Sequence, residues 1–453
     1  MLFRGKHHKK EMTLARGCAY SMNCYETQLN NNVIIVGSSG CGKTRSIVSP
    51  NIDKAYGSYV VLDPKGNLYE KHKEKLEDEG YVVKKLDFIH PEKSAHYNPF
   101  AYIKSPLDVK TIAHTFVYGK PDMIKMDPYW PESAEQLLTT LIGYICEEAP
   151  YWEQNMETLI DIISNMEIRD EERDPDFKSA VDMLFEEYQN CVGENWLTKG
   201  YRSFRNNAGT TARCVINTAS SSIEKFNIPE VLNMLSYDEI DIRSIGEEKT
   251  ALFVVVSDND RSMDTLSSIL FTQIMHELCC LADDKYFGEL PLPVRFILDD
   301  FATNMKITDF PKMISSFRSR NISSMIIVQA EAQLRSLYGY DAETIITNCD
   351  TYVYLGGSDI ETAQNIGARA GKRLRKILYM PLGRVWVFRR GSKPVYTKQN
   401  KPFVYERDML DLYMERLDEI GKKYGKLDFC EDNEEEEDFL DEISDCGETI
   451  SGE

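Results

Sequence analysis

Gly37, Ser38, Ser39, Gly40, Cys41, Gly42, Lys43 and Thr44 spell G-x-x-x-x-G-K-T, a pattern suited to binding a nucleoside triphosphate. Its three glycines permit backbone angles that a side chain forbids. Successive N–H groups can then converge on phosphate oxygens. A helix opening at Arg45 presents its positive end to the same anion. Lys43 reaches the β- and γ-phosphates, and the Thr44 hydroxyl ligates Mg²⁺. Residues 37–45 are therefore the expected ATP cradle, with Lys43 also catalytic. Just before them, Val33, Ile34, Ile35 and Val36 read as a buried strand. That strand–turn–helix setting separates a phosphate loop from a chance glycine turn.

The second half of such a site needs carboxylates. Residues 294–298 are a mostly apolar strand ended by Asp299 and Asp300. Asp299 is the expected Mg²⁺ carboxylate, and Asp300 the group that orients or deprotonates the attacking water. Taken alone, two Asp after a strand equally make a turn or a helix cap. With the glycine loop upstream, the catalytic reading prevails. Gln329 ends a further apolar strand over 323–328. Its amide can bond the γ-phosphate or the water, or it is an ordinary strand-end polar residue. Arg318 and Arg320 lie between these two strands. In a ring, such an Arg, Arg318 first, reaches the next subunit's γ-phosphate, worth on the order of 10³–10⁵ in rate where it operates. The other reading is plain surface charge.

The elements that hold these residues follow from periodicity. Strands over 33–36, 58–62 and 81–86, with a charged helix over 68–79, give the parallel α/β alternation. Ligands in such sheets sit at the carboxyl ends of strands. Asp63, Pro64, Lys65 and Gly66 close the second strand, so they either share the site of the Gly37 loop or form a plain turn. From 105 to 228 the pattern is helical, with apolar residues at 137, 138, 141, 142 and 145, the spacing of one helix face. Strand character returns at 250–256, 294–298, 323–328, 351–355 and 384–388, with helices over 262–282 and 309–318. The expected fold is α/β, a P-loop nucleotide-binding domain with a mostly parallel sheet and an inserted all-α domain. The expected divisions are an arm (1–30), a first nucleotide-binding part (31–104), an all-α insertion (105–234), a second nucleotide-binding part (235–410), and a C-terminal helix with an acidic tail (411–453). Trp130, Trp152 and Trp196 are expected to pack rather than to stack on bases.

The chain has 453 residues and a formal charge of −20, which argues against a broad nucleic-acid-binding face. The charge is uneven, however. Residues 428–453 carry 13 acidic side chains and no Lys or Arg, leaving about −7 on the rest. DNA contacts are then expected on loops or in a pore; Arg202, Arg205 and Arg213 are candidates, and equally are ordinary solvated charges. The tail reads as disordered, either as a docking segment or as a solubilising one. Eleven scattered cysteines without a C-x-x-C pair point away from disulfides and zinc. No run of 18 apolar residues and no signal peptide is legible, so a cytoplasmic location is expected.

In order, Gly37 to Thr44, Asp63-Pro64-Lys65-Gly66, Tyr97-Asn98-Pro99-Phe100, Leu298-Asp299-Asp300-Phe301-Ala302, Arg318-Ser319-Arg320 and Gln329 resemble the coupling proteins of type IV secretion and bacterial conjugation, the TraG/TraD-type DNA-transfer ATPases. The resemblance runs from about residue 14 to 400. It implies a homo-hexameric, RecA-like motor that uses ATP and Mg²⁺. Such a motor links single-stranded DNA bound to a relaxase, with other relaxosome proteins, to type IV secretion channel components. Two departures stand out. The family usually begins with a two-helix membrane anchor. Here membrane contact is expected to be indirect or through another subunit, at the inner face of the cell membrane. Where the family commonly has Asp-Glu, this chain has Asp299-Asp300, and a slow ATPase, or one active only when assembled, is expected. A recruitment scaffold that binds nucleotide with little turnover, and a ring translocase or helicase outside conjugation, are the competing readings.

Overall fold

A computed structural model describes residues 10–119, 127–169, 177–207, 209–301 and 305–400. Its centre is a nine-stranded sheet in the order β11-β10-β9-β3-β8-β7-β4-β6-β5. The strands are β3 (Val33–Val36), β4 (Ser58–Pro64), β5 (Val82–Asp87), β6 (Thr250–Val256), β7 (Val294–Leu298), β8 (Ile322–Val328), β9 (Thr351–Tyr354), β10 (Arg384–Arg389) and β11 (Val395–Lys398). From β9 to β5 every pairing is parallel, and β10 and β11 add an antiparallel margin. The central strands are apolar nearly throughout because both faces are covered. Val33 and Ile35 face one core, while Ile34 and Val36 face the other. At one edge, β5 carries Lys84 and Lys85, charges that discourage edge-to-edge pairing.

One face is covered by helices. Helix α1 (Asn67–Asp78) follows β4 but lies on the other face, where Leu68 and Leu76 share a core with Val33 and Ile35. Between residues 106 and 234 every described element is helical: α2 (Pro106–Tyr118), α3 (Tyr129–Glu148), α4 (Met156–Ser164), α5 (Ala180–Val192), α6 (Trp196–Arg205), α7 (Gly209–Ile223) and α8 (Pro229–Met234), with short 3₁₀ turns. Ser105 and Asp108 close a capping box on α2, and Ser179 and Asp182 close one on α5, each satisfying two orphan N–H groups. This helical layer shares one continuous apolar core with the sheet face that carries Ile34 and Val60. Helix α9 (Asp264–Lys285) is apolar and long enough to span a bilayer, yet 83% of its most apolar window is buried in the protein. It is a core helix. Helices α10 (Phe310–Ser316) and α11 (Glu331–Tyr338) flank β8.

The opposite face shows a correction. Among the described residues, 10–30 do not form a polar arm. Residues Glu11–Ala15 and Cys18–Ser21 pair as an antiparallel hairpin, β1 and β2. Met12, Leu14, Ala15 and Cys18 are buried in the core beneath Val33 and Ile35. Asn51 bonds both backbone groups of Thr13, at 3.0 and 2.8 Å. Arg16 N–H donates to Lys398 O at 3.0 Å, so the hairpin also meets β11. A second correction concerns Trp152, which is 74% exposed and packs in no core. The expected C-terminal helix and acidic tail (411–453) lie outside the described residues.

Candidate active site

The carboxyl ends of β3, β8, β7 and β4 stand side by side, so Gly37, Gln329, Asp299 and Asp63 lie along one edge of the sheet. β8 separates β3 from β7, and the loop between them must curl over it. Gly37 N–H donates to Val328 O at 3.2 Å, and Ser38 N–H to Gly356 O at 2.9 Å. The curl is tight: a Cβ on Gly37 would stand 2.7 Å from Cys41 Sγ. Gly40 and Gly42 take φ of 75° and 86°, the left-handed region that glycine enters without strain. Lys43 is buried, and its ammonium donates to Gly37 O at 2.6 Å and Ser38 O at 3.2 Å. Two loop carbonyls thus hold that charge at the rim of the turn.

The following helix opens at Thr44, one residue before the expected Arg45. It begins as a π turn, Thr44–Val48, and continues as an α turn, Ser49–Ile52. Pro50 explains the widening. It has no N–H to return to Ser46 O, and Ser49 N–H bonds Thr44 O instead. Arg45 points to solvent.

Thr44 Oγ1 donates to Asp299 Oδ2 at 2.7 Å, joining the two halves that the sequence pattern proposed. Asp299 is buried, and its Oδ1 has no hydrogen-bond partner among the described residues. Burial pushes the Asp299 carboxyl up to about 6; Asp300 adds to the rise, while the Thr44 bond and the Lys43 charge oppose it. Asp300 follows at φ +46°. Asp tolerates that left-handed region better than longer side chains do, which is a local reason for the shorter acid here.

Asp63 sits beside Asp299 on the neighbouring strand, since Leu62 and Leu298 are in register. Burial likewise raises it to about 6, against the opposing pull of the Tyr69 and Leu68 N–H groups, with Asp299 adding to the rise. Tyr69 N–H donates to its Oδ2 at 2.8 Å, so Asp63 anchors the start of α1. Lys65 and Gly66 turn the chain at φ 78° and 77°, and Lys65 Nζ pairs with Asp258 at 2.7 Å. Asp-Pro-Lys-Gly is both a turn and a neighbour of the site.

Gln329 follows β8 between the two halves, and its N–H donates to Gln333 Oε1 at 2.9 Å. Two residues on, buried Glu331 accepts from Tyr352 at 2.8 Å, Arg335 at 2.9 Å and Asn365 at 2.9 Å. No motif had singled out Glu331. Arg318 lies at the other end of β8, before Ile322, and is exposed. Within one chain it is not brought to the phosphate loop. Arg320 is bound in place by Asp283 at 3.0 and 2.7 Å. Tyr97, Asn98, Pro99 and Phe100 form a junction: Tyr97 OH donates to Gln273 of α9, and Asn98 Nδ2 to Gln154 O beyond α3. Of the arginines considered for DNA, Arg202 pairs with Glu194 and Arg205 with Asp182, while Arg213 is exposed.

A family described as "Type IV secretory system Conjugative DNA transfer" matches residues 3–377. Protein VirD4 of Rhizobium rhizogenes is 21% identical over 359 residues, 75% of this chain and 49% of that protein. VirD4 of Rhizobium radiobacter is 22% identical over 357 residues, 75% and 48% respectively. The chain therefore spans about half the length of the curated relatives it matches. Among solved structures, the plasmid coupling protein TrwB in complex with ADP and Mg²⁺ superposes with a TM-score of 0.63 at 16% identity, covering 88% of this chain and 91% of that one. At that identity the likeness is one of fold. The family match extends over most of the sequence, from the hairpin through the phosphate loop and paired aspartates to the helices after β9, and the chain belongs to the type IV secretory system conjugative DNA transfer family.

Proposed function

We propose that this chain is an ATP-hydrolysing coupling protein that links relaxase-bound single-stranded DNA to a type IV secretion channel and drives conjugative transfer. The observation that carries the reading is the Thr44–Asp299 contact of 2.7 Å, with Asp299 Oδ1 buried and without a partner among the described residues. A hydroxyl and a carboxylate oxygen are hard donors, which suit Mg²⁺ retaining several waters. The fold neighbour TrwB, solved with ADP and Mg²⁺, supports the same ligands. Thr44 and Asp299 would hold the cation. Residues 37–45 would hold the phosphates, with Lys43 released from the Gly37 and Ser38 carbonyls onto them. When bound, Mg²⁺·ATP supplies the electrophilic phosphoryl group and neutralises charge on it.

Asp300 and Gln329 position the attacking water, Asp300 as the proton acceptor. Asp300 is one methylene shorter than Glu, and turnover is slow outside the assembled state. Arg318 acts in trans: it stands at the far end of β8 from Gln329, so in a homo-hexamer it serves the neighbour's phosphate. DNA and channel components are partners, and the relaxosome is delivered from the cytoplasmic side, at the inner face of the membrane.

ATP hydrolysis by the full chain, with and without single-stranded DNA, tests the reading. DNA-stimulated turnover that vanishes in Lys43→Ala supports a motor. Tight ATP binding with no turnover under any DNA condition favours a recruitment scaffold. Normal mating with the Lys43→Ala variant rules out the coupling role.

A further inference from the structure

Two consecutive side chains just past β11 reach the phosphate loop, and no motif includes them. Gln399 Nε2 donates to Cys41 O at 3.0 Å, and Asn400 Nδ2 to Ser46 O at 3.3 Å. Gln399 is itself anchored, its N–H donating to Gly383 O at 2.8 Å. The fit is close: a Cβ on Gly42 would lie 3.4 Å from Gln399 Oε1. Neither carbonyl has an obvious helical partner. Ser46 O faces the missing N–H of Pro50, and Cys41 precedes the helix.

We propose that Gln399 is a positioning residue for nucleotide binding, which rests on the ATP-binding reading above. The peptide between Cys41 and Gly42 is planar and trans, so the Cys41 carbonyl and the Gly42 N–H point in opposite directions. Gln399 draws the carbonyl toward the β10–β11 margin. The Gly42 N–H is thereby turned to the other side, where a phosphate oxygen can accept from it. Gly42 forms one side of this peptide, at φ 86°, and resists its rotation least of all residues. Without the Gln399 amide, the peptide is free to flip and to present a carbonyl oxygen to the anion. Asn400 does lesser service, donating to the Ser46 carbonyl in the first turn of the helix that begins at Thr44.

The test uses the full chain and a fluorescent ADP with Mg²⁺, read as a dissociation constant, beside thermal unfolding without nucleotide. Gln399→Ala is expected to bind about tenfold more weakly, the scale of one lost hydrogen bond to an ionic ligand's cradle. Gln399→Glu keeps the length but accepts rather than donates, and is expected to bind more weakly still. Neither should move the nucleotide-free midpoint by more than about 1 °C. Gln399→Ala binding within about twofold of wild type, while Lys43→Ala fails to bind, overturns the positioning role and leaves the ATP reading intact. A loss of affinity matched by a lowered nucleotide-free midpoint assigns Gln399 to general stability and also overturns it. Failure of the wild-type chain to bind removes the ATP reading together with this one.

Discussion

Thr44 Oγ1 and Asp299 Oδ2 are 2.7 Å apart although 255 positions separate them in the chain. The contact bridges the ends of β3 and β7 over β8 and leaves the second Asp299 oxygen without a partner among the described residues. Thr44→Val keeps the shape and removes the hydroxyl. Its Mg²⁺ requirement in ATP hydrolysis is expected to rise about 10–100-fold, with Thr44→Ser near wild type. Titration of Mg²⁺ at saturating ATP measures this. A valine variant with the wild-type Mg²⁺ curve would remove Thr44 from the metal site.

Burial raises the Asp299 carboxyl from 3.8 to about 6, so folding favours its neutral form. The sign follows: this contribution to stability is complete below about pH 4 and is lost as pH rises through about 6. Asp299→Asn, measured without Mg²⁺ or nucleotide, should therefore be more stable than wild type at pH 8, by on the order of 2 kcal/mol. The gain should shrink markedly at pH 5. Thermal unfolding at the two pH values checks it, and an equal shift at both would exclude Asp299 ionisation as the cause.

Arg318 and Arg320 are two residues apart but differently held. Arg320 bonds Asp283 through Nε and Nη2, whereas Arg318 is exposed. Arg320→Ala is expected to lower stability by about 1 kcal/mol, the pair being part-exposed. Arg318→Ala should leave stability unchanged and lower turnover in the assembled state by at least about 100-fold. Mixing Arg318→Ala with Lys43→Ala subunits should restore part of the turnover, since one variant keeps the loop and the other the arginine. No recovery on mixing counts against action in trans.

At the other end of the strands that carry Asp63 and Asp299, Gly57 meets Pro293. A Cβ on Gly57 would lie 2.1 Å from Pro293 O, at φ +76°. Ser58 N–H already bonds that oxygen at 2.8 Å, so β4 cannot yield without losing its register with β7. Gly57→Ala is expected to destabilise the fold by at least about 2 kcal/mol. Gly80 has a similar φ of +81° and open space around it, so Gly80→Ala should cost only about 1 kcal/mol of backbone strain. Urea unfolding midpoints of the two variants separate collision from strain.

Much of this arrangement was legible because its signals are local. A strand buried on both faces is apolar nearly throughout, and β3, β4, β6, β7 and β8 read that way apart from a few buried polar residues such as Arg295, Ser323 and Ser324. Phosphate binding demands glycine at the turn and Lys-Thr at the helix start, and both stand in one stretch of eight residues. The paired aspartates follow their strand directly. The hairpin of β1 and β2 was missed because its apolar residues are few and its burial is created by the sheet beneath it. β11 was missed because it is a short, exposed edge strand, with no apolar alternation to mark it.

What the chain alone determined was therefore chemistry by type: a phosphate loop, a pair of acids, and strands to carry them. Tertiary structure decided which groups meet. Strand order is set by packing between elements far apart in sequence, and it alone places β8 between β3 and β7, Asp63 against Asp299, and Arg318 at the far end from the site. Gln399 and Asn400 depend on it most. A lone amide carries no pattern of its own, and these two acquire meaning only because the β10–β11 margin delivers them to the carbonyls of Cys41 and Ser46.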